Sequence, residues 1–100
     1  MVMNKIQIKM KTLTDFKNKI QVGVKIHAYN HDYKIDYGVR EVSIRKTCTF
    51  ALKTKRDGVY VDSYCEFPKR EDIEFSGNCA TIFWKVDGIR KPILTYTFLD

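Results

Sequence analysis

The histidines and the acidic clusters are the residues of this chain that could carry catalysis or hold a metal. His27 and His31 lie four positions apart among residues typical of a strand end and a turn, and this spacing places no third ligand nearby. Two clusters of carboxylates are of the kind that solvated loops carry: Asp32 with Asp36, and Glu71, Asp72 and Glu74. We therefore predict no catalytic residue, no metal site and no enzymatic activity.

The cysteines and glycines indicate no further chemistry. Cys48, Cys65 and Cys79 are an odd number at spacings of 17 and 14, without a CxxC pair, so we expect free and buried thiols. The five glycines are isolated, which excludes a phosphate-binding glycine loop. We expect no cofactor.

The positive charge is concentrated at the start of the chain. Residues 1–25 carry six lysines and the single acid Asp15, whereas residues 26–100 hold 12 basic and 11 acidic groups. Such an excess favours binding to an anion, either the phosphates of a nucleic acid or an acidic protein surface. Alternatively, the lysines keep an exposed hairpin soluble and prevent it from pairing with other sheets. The six residues are Lys5, Lys9, Lys11, Lys17, Lys19 and Lys25.

Two tyrosines and two further lysines suggest a second binding surface. Alternation predicts that Tyr60 and Tyr64 share the polar side of a hairpin with Lys53 and Lys55. Rings mixed with cations bind single-stranded bases by stacking and by charge. Half-exposed tyrosines are also common in ordinary strands, so a purely structural role is the alternative.

A period of two runs through most of the chain and predicts half-buried strands. Segments 5–13 and 20–28 both alternate, and we predict that they pair as a hairpin across the polar residues 14–18. With Lys11 opposite Gln21 and Ile6 opposite Ile26, apolar side chains meet on one face. Lys5, Lys9, Lys11 and Lys25 then share the other face, and Lys17 and Lys19 lie at or near the turn.

Two more hairpins are predicted at Asp57-Gly58 and Asp87-Gly88, because tight turns need the positive φ that Asp-Gly adopts readily. The first pairs Phe50 with Cys65. The second pairs Ile82 with Ile93 and Trp84 with Lys91, and Pro92 predicts an edge or a bulge there.

The last hairpin is apolar on both faces, so a second sheet, a neighbouring segment or a partner chain should cover it. We predict a protein interface or a homodimer seam at Phe83, Trp84, Ile93, Tyr96 and Phe98.

A further strand is predicted around residues 33–39, and a short helix over residues 68–75, between Pro68 and Gly77. The expected fold is mainly β: an antiparallel sandwich or small barrel of six to seven strands with at most one short helix. The alternative is an α+β fold. A chain of 100 residues fits a single β-rich domain over residues 1–100.

The leading functional hypothesis is a small non-enzymatic protein that docks on a macromolecule through the basic N-terminal hairpin, with nucleic acid or a nucleoprotein as the favoured target. One alternative is a phage or mobile-element inhibitor that blocks a host defence protein. The many Lys, Ile, Phe, Tyr and Asn residues have A/T-rich codons and so indicate an A/T-rich genome, which many low-GC bacteria and their phages share. Another is a structural subunit of a phage particle.

No apolar stretch is long enough to span a membrane, so we expect a cytoplasmic location, in the bacterial host if a phage encodes the protein.

Overall fold

A computed structural model describes residues 10–99 of the protein. Seven strands, one short α-helix and one 3-10 turn make up this part of the chain, which confirms the mainly β fold class. In chain order they are α1 Leu13–Lys19, β1 Lys25–Asn30, β2 Ile35–Arg45, β3 Thr49–Arg56, β4 Val59–Glu66, the 3-10 turn Arg70–Asp72, β5 Ile73–Ser76, β6 Cys79–Val86 and β7 Ile89–Leu99.

The strands form one antiparallel sheet in the order β4-β3-β2-β1-β7-β6-β5. All neighbours along the sheet are consecutive in the chain except β1 and β7, which pair at its centre. The first and last strands are therefore interior, and β4 and β5 form the edges.

The sheet curls so that side chains from distant strands meet on its concave face. The rings of Phe50 in β3 and Tyr96 in β7 lie 6.0 Å apart, although two strands separate them in the sheet. In a flat sheet they would lie roughly 14 Å apart at the usual spacing of about 4.8 Å between strands. The Tyr96 hydroxyl also donates a hydrogen bond to Sγ of Cys65 in β4, at 3.8 Å. The concave face consequently encloses the core.

Helix α1 covers one end of the concave face. The Thr12 side chain accepts a hydrogen bond from the Asp15 backbone, and the Asp15 carboxylate accepts one from the Thr12 backbone, which is a capping box. Phe16, one residue later, is fully buried. Its ring lies within 6.4 Å of the rings of Phe50, Phe67, Phe75, Tyr96 and Phe98.

Both Asp-Gly hairpins are confirmed, and the central residues of both turns have positive φ. Around the first, Phe50 pairs with Cys65 as predicted. Around the second, Trp84 pairs with Lys91, but Ile82 pairs with Leu94 instead of Ile93. A register shift between Ile82 and Phe83, opposite Pro92, accounts for the difference and confirms the predicted bulge.

The predicted N-terminal hairpin is wrong. Its turn and part of its first arm form α1, and both edges of β1 are already occupied. Ile26 pairs with Arg40 of β2 and with Phe98 of β7, which leaves β1 no free edge for a further strand. Lys5 and Lys9 lie outside the described residues.

Two other predicted elements change in extent. The predicted helix over residues 68–75 is reduced to the 3-10 turn Arg70–Asp72, because residues 73–75 belong to β5, where Ile73 and Phe75 alternate toward the core opposite β6. The strand predicted around residues 33–39 begins later and extends to Arg45.

Candidate nucleic-acid interface

Tyr60 and Tyr64 stand on the outer, convex face of edge strand β4. Their side chains alternate with Ser63 and Cys65, which face the cavity on the concave side. The two tyrosines are 68% and 56% exposed, so both rings are open to solvent. Four residues of strand place them roughly 13 Å apart. The sequence therefore identified two accessible rings on a common face.

A lysine ammonium lies over each ring. Lys55, directly opposite Tyr60 in the ladder, places Nζ 5.8 Å from the ring centroid. Lys46, in the connection between β2 and β3, places Nζ 5.6 Å from the ring of Tyr64. Each pair combines a flat apolar face with a positive charge, at the distance of a cation–π contact. We call Lys46, Lys55, Tyr60 and Tyr64 the Tyr–Lys surface.

Lys53 lies between the two pairs, but acidic groups offset its charge. Its Nζ is 3.2 Å from a carboxylate oxygen of Glu41, and Asp62 is its direct partner across the ladder. The Asp62 carboxylate also accepts a hydrogen bond of 2.7 Å from the Ser43 hydroxyl. Lys53 is thus brought to the predicted surface and held there by a carboxylate, which leaves Lys46 and Lys55 as the more available cations.

The structure describes four of the six lysines of the first segment, and these four do not lie on one face of a hairpin, so this prediction is corrected for them. Lys11 precedes α1 and Lys25 begins β1. Lys17 lies over the ring of Phe67 at 5.5 Å. Lys19 lies over the ring of Phe98 at 5.3 Å and donates to the side chain of Asn78. These four lysines thus belong to different elements, and two of them, Lys19 and Lys25, border a common surface depression.

The predicted protein interface is divided by the fold. Tyr96 and Phe98 are buried in the core, so the prediction is corrected for these two residues. Ile93 packs against the core, and the Arg90 guanidinium covers the ring of Phe83 at 3.9 Å. Trp84 remains 61% exposed.

An apolar tip, which the sequence analysis missed, surrounds Trp84 at the end of the β6–β7 hairpin. Val86 and Ile89 pair across the turn and are both exposed. Val86 lies two residues from Trp84, on the same face of β6. Extending the predicted register to Val86–Ile89 would have identified this cluster.

Sequence reasoning also missed Lys46. It lies beyond the end of β2, where the alternation stops, and the irregular register between β2 and β3 hides its position relative to Tyr64. No period in the sequence could have placed it there.

The histidines have separate partners. A ring nitrogen of His27 lies 2.7 Å from the Asp36 carboxylate, and a ring nitrogen of His31 lies 2.7 Å from the Thr95 hydroxyl. The backbone N–H of Gly38, as the largest cause, and His27 together lower the pKa of Asp36. Within residues 10–99, no three His, Cys, Asp or Glu side chains are grouped in a way that could hold a metal ion.

The cysteines are free in the described structure. Cys48 is exposed, contrary to expectation, because it lies in the turn between β2 and β3. Cys65 and Cys79 are half-buried. Burial raises the pKa of the Cys65 thiol, which keeps it protonated near neutral pH.

Comparison with known proteins adds no family to this description. No family model, no curated protein and no solved structure matches the chain. In the portion from residue 10 to residue 99, no helix is long and apolar enough to cross a membrane.

Proposed function

We propose that the protein is a small, non-enzymatic, cytoplasmic binding protein that docks on single-stranded nucleic acid through the Tyr–Lys surface. The observation that carries the proposal is the pair of exposed rings on one face of β4, each with a lysine ammonium within 6 Å. Every base offers a π-face, so two such rings bind bases with little sequence preference. The lysines attract the phosphates between the bases.

The spacing of the rings favours a single strand over a duplex. Neighbouring bases along one strand of a duplex are about 3.4 Å apart. The rings of Tyr60 and Tyr64 belong to residues roughly 13 Å apart along β4. Bases stacked on both rings must therefore be separated from each other by extended backbone, which a paired helix does not permit.

Fluorescence anisotropy with a labelled 12-nucleotide DNA strand tests the role of the rings. Each base–tyrosine stack is worth about 1–3 kcal/mol, so Tyr60→Ala and Tyr64→Ala should each weaken binding by about 5- to 150-fold. Tyr60→Phe and Tyr64→Phe keep the stacking face and should retain affinity. Tyr33→Ala, at an exposed tyrosine in the turn between β1 and β2, is the matched control. Equal affinity of all five variants would refute the proposal.

Salt dependence tests the role of the lysines. Each phosphate contact contributes about 0.7 to the slope of log K against log salt for a single strand. Lys46→Gln and Lys55→Gln should therefore each lower the slope by about that amount. The control Lys85→Gln changes a lysine on the distant β6–β7 hairpin and should leave the slope unchanged. A slope that Lys46→Gln and Lys55→Gln leave unchanged would locate the binding outside the Tyr–Lys surface, and an equal decrease in all three variants would show that binding is not confined to it.

The apolar tip of Trp84, Val86 and Ile89 supports a second candidate function. Exposed tryptophan is frequent where proteins bind one another, so the chain could act as a phage or mobile-element inhibitor of a host protein. A pulldown from host extract, with and without nuclease, distinguishes the two functions. The inhibitor function predicts a stoichiometric protein partner that survives nuclease and is lost with Trp84→Ser. A partner lost with nuclease alone would contradict it.

A further inference from the structure

The concave face contains a cavity at the end of the sheet away from α1. Its volume is about 280 Å³, and it is open to solvent on one side. Leu52, Leu94 and Tyr96 form an apolar floor contributed by β3 and β7. Tyr96 thus packs against Phe16 on the helix side and lines the cavity on the other.

Two arginines from neighbouring strands line the rim. Arg40 of β2 pairs with the buried Ile26 in the ladder and so faces the concave side, and Arg56 ends β3 on the same face as Leu52. Among residues 10–99, no carboxylate lies within 4.0 Å of either guanidinium. This contrasts with Lys53 on the convex face, whose charge Glu41 offsets.

Local contacts hold Arg40 in place and leave its terminal nitrogens available. Its Nε donates a hydrogen bond of 3.1 Å to the backbone carbonyl of Tyr37, and its guanidinium lies 5.5 Å from the centre of the Tyr37 ring. The Tyr37 hydroxyl in turn accepts a hydrogen bond of 3.2 Å from the Asn30 side chain. The hydrogen bonds found among residues 10–99 do not use the terminal nitrogens of Arg40. Such a preorganised fork matches the geometry of a carboxylate.

We propose that this cavity binds a small amphipathic carboxylate. The apolar body of the ligand lies on Leu52, Leu94 and Tyr96, and its carboxylate lies between Arg40 and Arg56. An inorganic anion would leave the apolar floor uncovered, and a cation would be repelled by the two guanidinium groups. The volume is at the lower limit of ligand pockets, about 300 Å³, which selects a ligand of roughly the size of a medium-chain acid.

The cavity lies on the concave side of the sheet, whereas Tyr60 and Tyr64 face the convex side. Arg40 also borders a surface depression beside Lys53 and Tyr60. Arg56 lines the cavity and not that depression, so Arg56→Met tests the carboxylate site separately from the nucleic-acid interface.

Octanoate is a suitable probe, with 1-octanol as its uncharged counterpart of equal chain length. In a two-dimensional ¹H–¹⁵N NMR titration of the full chain, octanoate should shift the amide signals of Leu52, Cys65 and Leu94. Loss of a charge-assisted hydrogen bond typically weakens binding 10-fold or more. Octanol should therefore bind the unmodified chain at least 10-fold more weakly than octanoate does, and octanoate should bind Arg56→Met at least 10-fold more weakly than it binds the unmodified chain.

Arg40→Met is the second variant, and it should weaken octanoate binding as Arg56→Met does. It tests the arginine nearer the middle of the sheet, because Arg56 lies at the more exposed end of β3. The matched control Arg70→Met, at an exposed arginine of the 3-10 turn, should bind octanoate as the unmodified chain does. The proposal is overturned if octanoate shifts no signal of the cavity, if octanol binds equally well, or if Arg56→Met retains full affinity.

Discussion

At the scale of single residues, Phe16 connects the curled sheet to its covering helix. Its fully buried ring contacts aromatic rings from β3, β5 and β7 and from the segment after β4. Removing a buried phenylalanine costs about 3–5 kcal/mol, because the site loses its burial and retains a cavity. We expect Phe16→Ala to lower the free energy of unfolding by this amount, as measured by urea denaturation.

The control for Phe16 is Val22→Ala, which truncates an apolar side chain that is 64% exposed. Such a surface change should alter the free energy of unfolding by no more than about 0.5 kcal/mol. If the two variants lose similar stability, the helix does not pack on the sheet as described.

Single residues also show how far the sequence could predict the candidate surface. The Asp57-Gly58 turn determines the register of its hairpin, so the pairing of Lys55 with Tyr60 follows from residues close in the chain. The contact of Lys46 with Tyr64 depends on a connection without a periodic pattern. The carboxylate that pairs with Lys53 belongs to Glu41 of β2. Local chemistry thus predicts the rings, whereas tertiary contacts decide which cations remain available.

At the scale of elements, the two confirmed hairpins are determined by local turn residues, whereas the incorrect N-terminal hairpin depended on the choice of a neighbouring strand. Segment 20–28 alternates well, but alternation does not specify which strand becomes its neighbour. The strand at the far end of the chain, β7, occupies that position. A local signal did exist: Thr12 and Asp15 have the spacing of a capping box, and Phe16 and Ile20 lie four residues apart, as on one helix face. These residues indicate a helix where alternation predicted a turn.

The capping box makes the stability of α1 dependent on pH. Hydrogen bonds from the backbone N–H of Lys11, the largest favourable cause, and of Thr12 lower the pKa of Asp15 below its ordinary value of 3.8. A lowered folded-state pKa stabilises the protein above the unfolded-state pKa, and this contribution disappears as the pH falls through the folded-state value. We expect Asp15→Asn to be less stable than the unmodified chain at neutral pH, and the difference to shrink as the pH falls below 3.8.

Thermal unfolding followed by circular dichroism at a series of pH values measures this difference. Thr14→Ala, at an exposed position of the same helix, retains the Asp15 cap, so its stability curve should run parallel to that of the unmodified chain. A difference between Asp15→Asn and the unmodified chain that stays constant through the acid range would show that the carboxylate does not act as this cap.

At the scale of the whole molecule, the curl of the sheet is the property that the sequence predicts least. Composition and alternation predicted the number of strands, but the strand order depends on the pairing of β1 with β7, whose paired residues are 64 to 74 positions apart in the chain. The curl creates both the core and the carboxylate cavity, because it brings Tyr96 against Phe50 and Cys65.

The cysteines provide a chemical test of that curl. Cys48 is exposed in a turn, whereas Cys65 faces the concave side beside Tyr96, and burial raises the pKa of its thiol. Because the thiolate is the reactive form, we expect iodoacetamide near pH 8 to alkylate Cys48 well before Cys65. Mass spectrometry of peptides from timed samples measures both rates, and unfolding in urea should make them similar. If Cys65 reacted as quickly as Cys48 in the folded protein, β4 would not lie against β7, because only a flat sheet would leave both thiols open to solvent.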